Sequence, residues 1–179
     1  MYADVLAFWF EEIDSKAWWK ADPAFDRTVG ERFGALLASA AAGELFDWRR
    51  EARGRLAEIL VLDQFSRNIH RGTPRAFAQD PMALALAQEA VAGGALQALD
   101  IPAQRNFLLM PYMHSESRIV HTQAEKLFRA HTPPGNLEFE LRHKAIIDRF
   151  GRYPHRNAIL GRVSSAAEIE FLKQPDSSF

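Results

Sequence analysis

Apolar residues recur along this chain at intervals of three and four, the spacing that buries one face of an α-helix. No stretch alternates between apolar and polar residues with a period of two, so the pattern predicts no β-strand. The predicted helical segments are 2–13, 22–40, 51–69, 80–94, 103–113, 116–131, 137–150, 154–160 and 165–172. Because Ala, Leu, Glu and Arg dominate and favour helix, an all-α protein is predicted.

Several helix starts can be recognised from short motifs. Asp22 and Asp80 each precede a proline, as an N-cap precedes a proline at the first helical position. Ser165 and Glu168 have the spacing of a capping box. The connections between helices are short and carry glycine or proline, which makes neighbouring helices antiparallel. We therefore expect one all-helical domain over 1–179, built of antiparallel helix pairs and long enough to bury a core.

Bulk composition narrows the classes of function. A net charge of −1 and a pI near 6.6 provide no field that would attract nucleic acid or an acidic membrane. The chain has no cysteine, which excludes disulfides, thiolate catalysis and cysteine-ligated metals. The acidic first residues are unlike a signal peptide, and no apolar run approaches the roughly 20 residues of a membrane span. We predict a cytoplasmic protein with no membrane or nucleic-acid partner.

Two polar helix ends resemble one another. The segment "LDQFSRNIHRG" at 62–72 aligns without gaps with "IDRFGRYPHRN" at 147–157, and each follows an apolar helical run. The identical pairs are Asp63 with Asp148, Phe65 with Phe150, Arg67 with Arg152, His70 with His155, and Arg71 with Arg156. One interpretation is local, with Asp–Arg pairs at i,i+4 and cations at the negative end of a helix. In the other, the two ends converge on one polar site, where buried charges must be paired.

Other constellations indicate acid–base or anion chemistry more than metal chemistry. His114 and Glu116 are candidates for proton transfer, and Ser115 between them is the predicted N-cap of the following helix. The arginines of 142–156 outnumber its one acid, which favours an anion, although Arg142 and Lys144 fit a solvated face. No two histidines have the i,i+4 spacing of a helical zinc site, and phosphate loops and Gly-x-Ser-x-Gly are absent. We predict no metal site and no cofactor.

Three long motifs carry a resemblance to a known family. They are "VLDQFSRNIHRGTPRAFAQD", "LLMPYMHSE" and "RHKAIIDRFGRYPHRNAILGR", and they resemble the bacterial domain-of-unknown-function family nine-two-four over nearly the whole chain. The resemblance implies an all-helical fold similar to tetratricopeptide-like superhelices, and it implies no activity. The positions that match the family's polar motif residues are Asp63, Gln64, Arg67, Asn68, Arg71, His114, Glu116, His143, Arg152, His155, Arg156 and Asn157.

Three functional hypotheses follow. In the first, the protein is a helical binding module, and these twelve residues form a polar pocket for a small anionic ligand or an acidic peptide. In the second, it is an enzyme that uses histidine acid–base chemistry on a small anionic substrate, with His114, His143, His155 and Asp63 as catalytic candidates. In the third, the polar motifs only hold the fold together. The sequence does not decide between them, nor does it determine the oligomeric state.

Overall fold

The computed structural model describes residues 1–175 and 177–178, and this part of the chain contains helices and no strand. The all-α prediction is thereby confirmed. The helices are α1 (Tyr2–Ala7), α2 (Pro23–Ala41), α3 (Ala52–Leu60), α4 (Asp80–Ala92), α5 (Ala95–Ala98), α6 (Pro102–Met113), α7 (Arg118–His131), α8 (Pro134–Phe150) and α9 (Ala166–Phe171). The predicted domain over 1–179 includes residues 176 and 179, which lie outside the described residues. That this is a single domain stays a prediction.

Two helices continue beyond their regular part as a wide, π-helical turn. Phe8–Glu12 extends α1, and Val61–Phe65 extends α3 before the α-helical turn Ser66–Ile69. The second of these wide turns contains the first polar residues of the segment 62–72. Wide turns of this kind are rare and often lie at functional sites. The 3-10 turn Pro74–Phe77 then leads into α4, and the 3-10 turn Pro154–Arg156 follows α8.

The predicted helix starts are correct where only neighbouring residues decide them. Asp22 accepts a hydrogen bond from the backbone N–H of Ala24 at 2.9 Å, and Ser165 forms the predicted capping box with Glu168. Two predictions are wrong. Asp80 is the first residue of α4 and makes no capping bond, because arginine partners take its carboxylate. The N-cap of α7 is Ser117 and not Ser115, since Ser117 is extended and its side chain accepts a hydrogen bond from the backbone N–H of Val120.

The core lies around α3, which is buried on nearly all sides as its apolar sequence predicts. Leu56, Leu60, Leu62 and Phe65 are completely buried there. Trp9 from the extension of α1 packs its ring 5.5 Å from that of Phe65. Because α1, α4 and α6 pack around α3, and α2 packs against the continuation of α3 over Val61–Phe65 and Ser66–Ile69, the polar end of α3 is held inside the molecule.

A second, smaller apolar cluster holds the last third of the chain. Only two residues separate α7 from α8, so α8 folds back along α7 and packs against it. Ile146, Ile147 and Tyr153 form the buried part of this cluster. The tetratricopeptide-like superhelix stays an expectation from the family resemblance. Among the described residues, none of the helices is both long enough and apolar enough to cross a membrane.

Candidate functional site

The carboxylate of Asp63 is the centre of a buried ion cluster at the end of α3. It is 1% exposed, and its Oδ1 lies 2.7 Å from Nδ1 of His114 and 3.2 Å from Nη1 of Arg67. Its Oδ2 accepts a hydrogen bond from the amide of Gln64 at 2.6 Å. Burial would raise the pKa of the Asp63 carboxyl, but Arg67 and His114 outweigh burial and hold that pKa well below its usual range. Asp63 is therefore ionised at neutral pH.

Asp80 joins the two similar helix ends. Arg67 donates to both oxygens of Asp80, at 2.8 and 3.0 Å, and Arg156 donates to Oδ2 from 3.4 Å. One arginine from the segment 62–72 and one from the segment 147–157 thus contact the same carboxylate. These two arginines are not equivalent in the sequence alignment, in which Arg67 pairs with Arg152 and Arg156 pairs with Arg71. The two ends converge, but through different positions of the shared motif.

Arg156 is the least satisfied charged group of the cluster. Its side chain is 8% exposed, and the guanidinium lies 4.7 Å from the ring centre of Phe77 and 4.6 Å from that of Tyr153. Within the described residues its one hydrogen bond is the long contact to Asp80, and its buried Nε has no partner. Burial lowers the pKa of the Arg156 guanidinium, and the charge of Arg67 lowers it further. Contact with two aromatic rings restrains the guanidinium while most of its donors stay unused.

A cavity of about 400 Å³ lies beside this arginine, and we call it the Arg156 cavity. Its walls are formed by the turn 74–78, the first residues of α4, the end of α6 with the residues after it, Arg156 and Leu160. Its polar lining consists of Asp80, His114, Ser115, Glu116 and Arg156. Its apolar lining consists of Pro74, Phe77, Ala78, Pro81, Leu84, Pro111 and Leu160. The volume is within the range of small-molecule sites, about 300–1,000 Å³.

His114 connects the ion cluster to the cavity. Its Nδ1 contacts ionised Asp63, so this nitrogen carries the hydrogen and Nε2 is the ring nitrogen that Asp63 does not engage. Burial and Arg67 lower the pKa of His114, and Asp63 only partly opposes them, so the pKa lies below the usual value. A neutral imidazole of fixed tautomer on a cavity wall can accept a proton from a bound molecule.

Glu116 does not lie in the first turn of α7, contrary to the prediction, but precedes that helix. Its Oε1 accepts from the backbone N–H of Tyr153 at 2.8 Å, and Arg162 binds both its oxygens. Burial would raise the pKa of Glu116, but the hydrogen bonds from Arg162 outweigh it, so the pKa is lowered. Glu116 is therefore an ionised residue of the cavity wall.

Asn68 and Arg71 point away from the Arg156 cavity. Both donate to the carboxylate of Asp26 on α2, with Asn68 Nδ2 and Arg71 Nη2 each 2.8 Å from Oδ1. They fasten the end of α3 to α2. Three further polar residues of the same segment, Asp63, Gln64 and Arg67, belong to the ion cluster instead.

Arg152 and Asn157 form hydrogen bonds with residues of the C-terminal segment. Arg152 donates to both oxygens of Glu168, at 2.6 and 2.8 Å, and to the carbonyl of Val163. Asn157 donates to Ser164 and accepts from Arg162. Arg152 therefore holds the start of α9 and does not line the cavity. The predicted i,i+4 pair of Asp148 with Arg152 is wrong, because Asp148 pairs with Lys144 on α8.

His143 and His155 lie in a buried group around Tyr153 and are not lining residues of the cavity. Nδ1 of His143 contacts the carbonyl of Phe139 at 2.8 Å, and the ring of His155 lies 5.5 Å from that of Tyr153. Burial lowers the pKa of His143 to about 3 and that of His155 to about 4. Among the histidine candidates, His114 alone joins a carboxylate to the cavity.

Three residues of the site were not identified from the sequence. Asp80 was assigned to a helix cap, while Phe77 and Arg162 were not singled out at all. Each lies within a motif that carried the family resemblance, Phe77 and Asp80 in the first and Arg162 at the end of the third. Across the described part of the chain, no group of three or more His, Asp or Glu side chains is arranged to hold a metal ion.

Comparison with known proteins agrees with these motifs. A family model described as "Bacterial protein of unknown function (DUF924)" matches residues 5–176. The chain is also similar to a solved structure, that of the protein of unknown function ATU0120 from Agrobacterium tumefaciens. The two are 36% identical, the match covers 96% of each chain, and the TM-score is 0.91. Comparison with the curated proteins finds no match.

Proposed function

This chain belongs to the bacterial protein family DUF924, and since the function of that family is unknown, we propose one from the geometry of the site itself. The protein binds a small anionic ligand in the Arg156 cavity. The observation that carries this proposal is the state of Arg156. A buried guanidinium with one long hydrogen bond leaves strong donors unsatisfied, which is costly in the absence of a partner. A carboxylate or similar anion would accept two parallel hydrogen bonds from it.

The size of the cavity favours a small molecule over an acidic peptide. About 400 Å³ accommodates a compact ligand but not several peptide residues. The guanidinium of Arg156 is held in place before a ligand binds, because it contacts the rings of both Phe77 and Tyr153. A preorganised donor loses little conformational freedom on binding.

Calorimetric titration of the full chain with formate, acetate, butyrate, benzoate and inorganic phosphate tests the proposal. We expect at least one anion to bind, and Arg156→Gln to weaken that binding tenfold or more, the equivalent of roughly 1.5–3 kcal/mol for hydrogen bonds to a charged group. Arg149→Gln is the matched control, because Arg149 also lies over an aromatic ring, Phe150, but outside the cavity. Binding that persists in Arg156→Gln, or no binding by any of these anions, contradicts the proposal.

A second candidate function is an enzyme that uses His114 as general base or acid. The contact of 2.7 Å between Asp63 and Nδ1 of His114 favours it, since a carboxylate behind an imidazole fixes the tautomer that accepts a proton at Nε2. Incubation with the ester and the amide of an anion that binds, followed by NMR, tests this function. Turnover that His114→Gln abolishes while anion binding persists supports it, and no turnover by the unmodified protein counts against it.

A further inference from the structure

The Arg156 cavity is lined by both polar and apolar side chains. Arg156, His114 and Glu116 belong to the polar part of this lining, and Phe77, Leu84 and Leu160 to the apolar part, with the Phe77 ring also 4.7 Å from the Arg156 guanidinium. Three of the apolar residues are prolines, at positions 74, 81 and 111, whose nitrogens carry no hydrogen. That part of the wall therefore provides C–H surface and few backbone donors. Such a surface favours a hydrocarbon group over the hydroxyl groups of a sugar or the oxygens of a second anion.

The unused donors around the cavity belong to one arginine, which favours a ligand with a single anionic group. The carboxylates of Asp63, Asp80 and Glu116 are paired with the guanidiniums of Arg67, Arg156 and Arg162. The cluster is thus close to neutral before a ligand binds, and Arg156 alone among the three arginines has most of its donors unused. A second anionic group in the cavity would face Asp80 or Glu116, and like charges at short range repel. A dianion is therefore disfavoured.

From this division of the walls we infer that the ligand is a monocarboxylate with an apolar body. The carboxylate lies on Arg156 within reach of the His114 ring, and the body lies along Phe77, Leu84 and Leu160. This inference rests on the proposed function and narrows it from small anions in general to one chemical class.

A series of ligands of increasing chain length tests the inference on the unaltered protein. Calorimetry with acetate, butyrate and hexanoate should show affinity rising by roughly fourfold for each buried methylene group. Adipate, which has the length of hexanoate with a second carboxylate, should bind at least tenfold more weakly than hexanoate. Inorganic phosphate should also bind at least tenfold more weakly than hexanoate. Hexanol, which lacks the charge, should not bind measurably.

Two variants of α4 locate the apolar body. Leu84→Ala should weaken hexanoate binding several-fold and leave acetate binding unchanged, because Leu84 lines the apolar part. Leu86→Ala is the matched control, since Leu86 is a partly buried leucine of the same helix that packs on the core outside the cavity. If Leu84→Ala does not fold, the chain-length series still decides.

The outcomes separate this inference from the proposed function. If anions bind through Arg156 but adipate or phosphate binds as tightly as hexanoate, the inference is overturned and the proposed function stands. Affinity independent of chain length overturns it as well. If no anion binds in a way that depends on Arg156, the proposed function fails first and the inference fails with it.

Discussion

Asp63 and Asp148 occupy the same position in two similar segments, yet their carboxylates have very different surroundings. The side chain of Asp63 is 1% exposed and contacts Arg67 and His114. The side chain of Asp148 is 46% exposed and pairs with Lys144, four residues earlier on α8. An exposed pair of this kind contributes little to stability, whereas removing one partner from a buried cluster leaves the others uncompensated.

Replacement of these two aspartates should therefore have unequal effects. We expect Asp63→Asn to lower the free energy of unfolding by about 3–5 kcal/mol, because Arg67 loses one of its buried counter-charges. Asp148→Asn should change it by less than about 0.5 kcal/mol. Urea unfolding followed by circular dichroism measures both. Equal effects of the two substitutions would mean that the Asp63 cluster adds nothing beyond an ordinary surface ion pair.

At the scale of the element, one glycine of α3 allows the preceding 3-10 turn to lie close against the helix. The 3-10 turn Phe46–Arg50 crosses α3 at Gly54, where a Cβ atom would lie 2.1 Å from the backbone oxygen of Trp48. At Gly34, in the interior of α2, no atom of the described residues beyond the neighbouring backbone of the same helix lies within 4 Å of the Cβ position. Glycine is thus required for close approach in α3 and only lowers helix propensity in α2.

Alanine at these two glycines should act in opposite directions. Gly34→Ala should raise the free energy of unfolding by about 0.5–1 kcal/mol, because alanine has the higher helix propensity and the site has room for a methyl group. Gly54→Ala should lower it by about 1–3 kcal/mol or more, because the backbone of Trp48 must move. Thermal unfolding of the two variants and the parent protein measures the difference. A stable Gly54→Ala variant would be at odds with the contact between Trp48 and α3.

At the scale of the whole molecule, buried histidines make stability depend on pH. His143 and His155 are neutral in the folded protein, because burial lowers their pKa values to about 3 and about 4, while a histidine in the unfolded chain titrates near 6.5. Between these values the unfolded state binds protons that the folded state does not. The free energy of unfolding therefore falls as the pH decreases through this window.

The pH dependence can be assigned to one of these histidines by substitution. Each contributes a slope of up to about 1.4 kcal/mol per pH unit between about pH 6 and pH 4.5. His143→Asn, which keeps a donor for the carbonyl of Phe139, should remove one such contribution from the slope, whatever its effect on stability at pH 7. Chemical unfolding at a series of pH values measures the slope. An unchanged slope in His143→Asn would show that His143 is protonated equally in both states.

The sequence predicted well those features that depend on residues close together in the chain. The helices, the cap at Asp22 and the capping box of Ser165 with Glu168 all follow from contacts within one turn. The cap at Asp80 was predicted by the same reasoning and is wrong, because Arg67 and Arg156 bind that carboxylate from 13 and 76 residues away. A local sequence pattern therefore does not decide whether a side chain binds a neighbour in the chain or a distant partner.

In the candidate site, too, some features follow from the local sequence and others only from the tertiary structure. The similarity of the segments 62–72 and 147–157 indicated that their polar residues belong together, but not which of them meet. In the folded protein Arg152 binds Glu168 and Arg71 binds Asp26, while Arg67 and Arg156 both bind Asp80. Periodicity and capping by themselves determined an all-α chain with polar ends on buried helices. Only the packing of α3, α4, α6 and the turn after α8 decided which ends form one cavity, because the free energy of a buried charge depends on partners brought together by the fold.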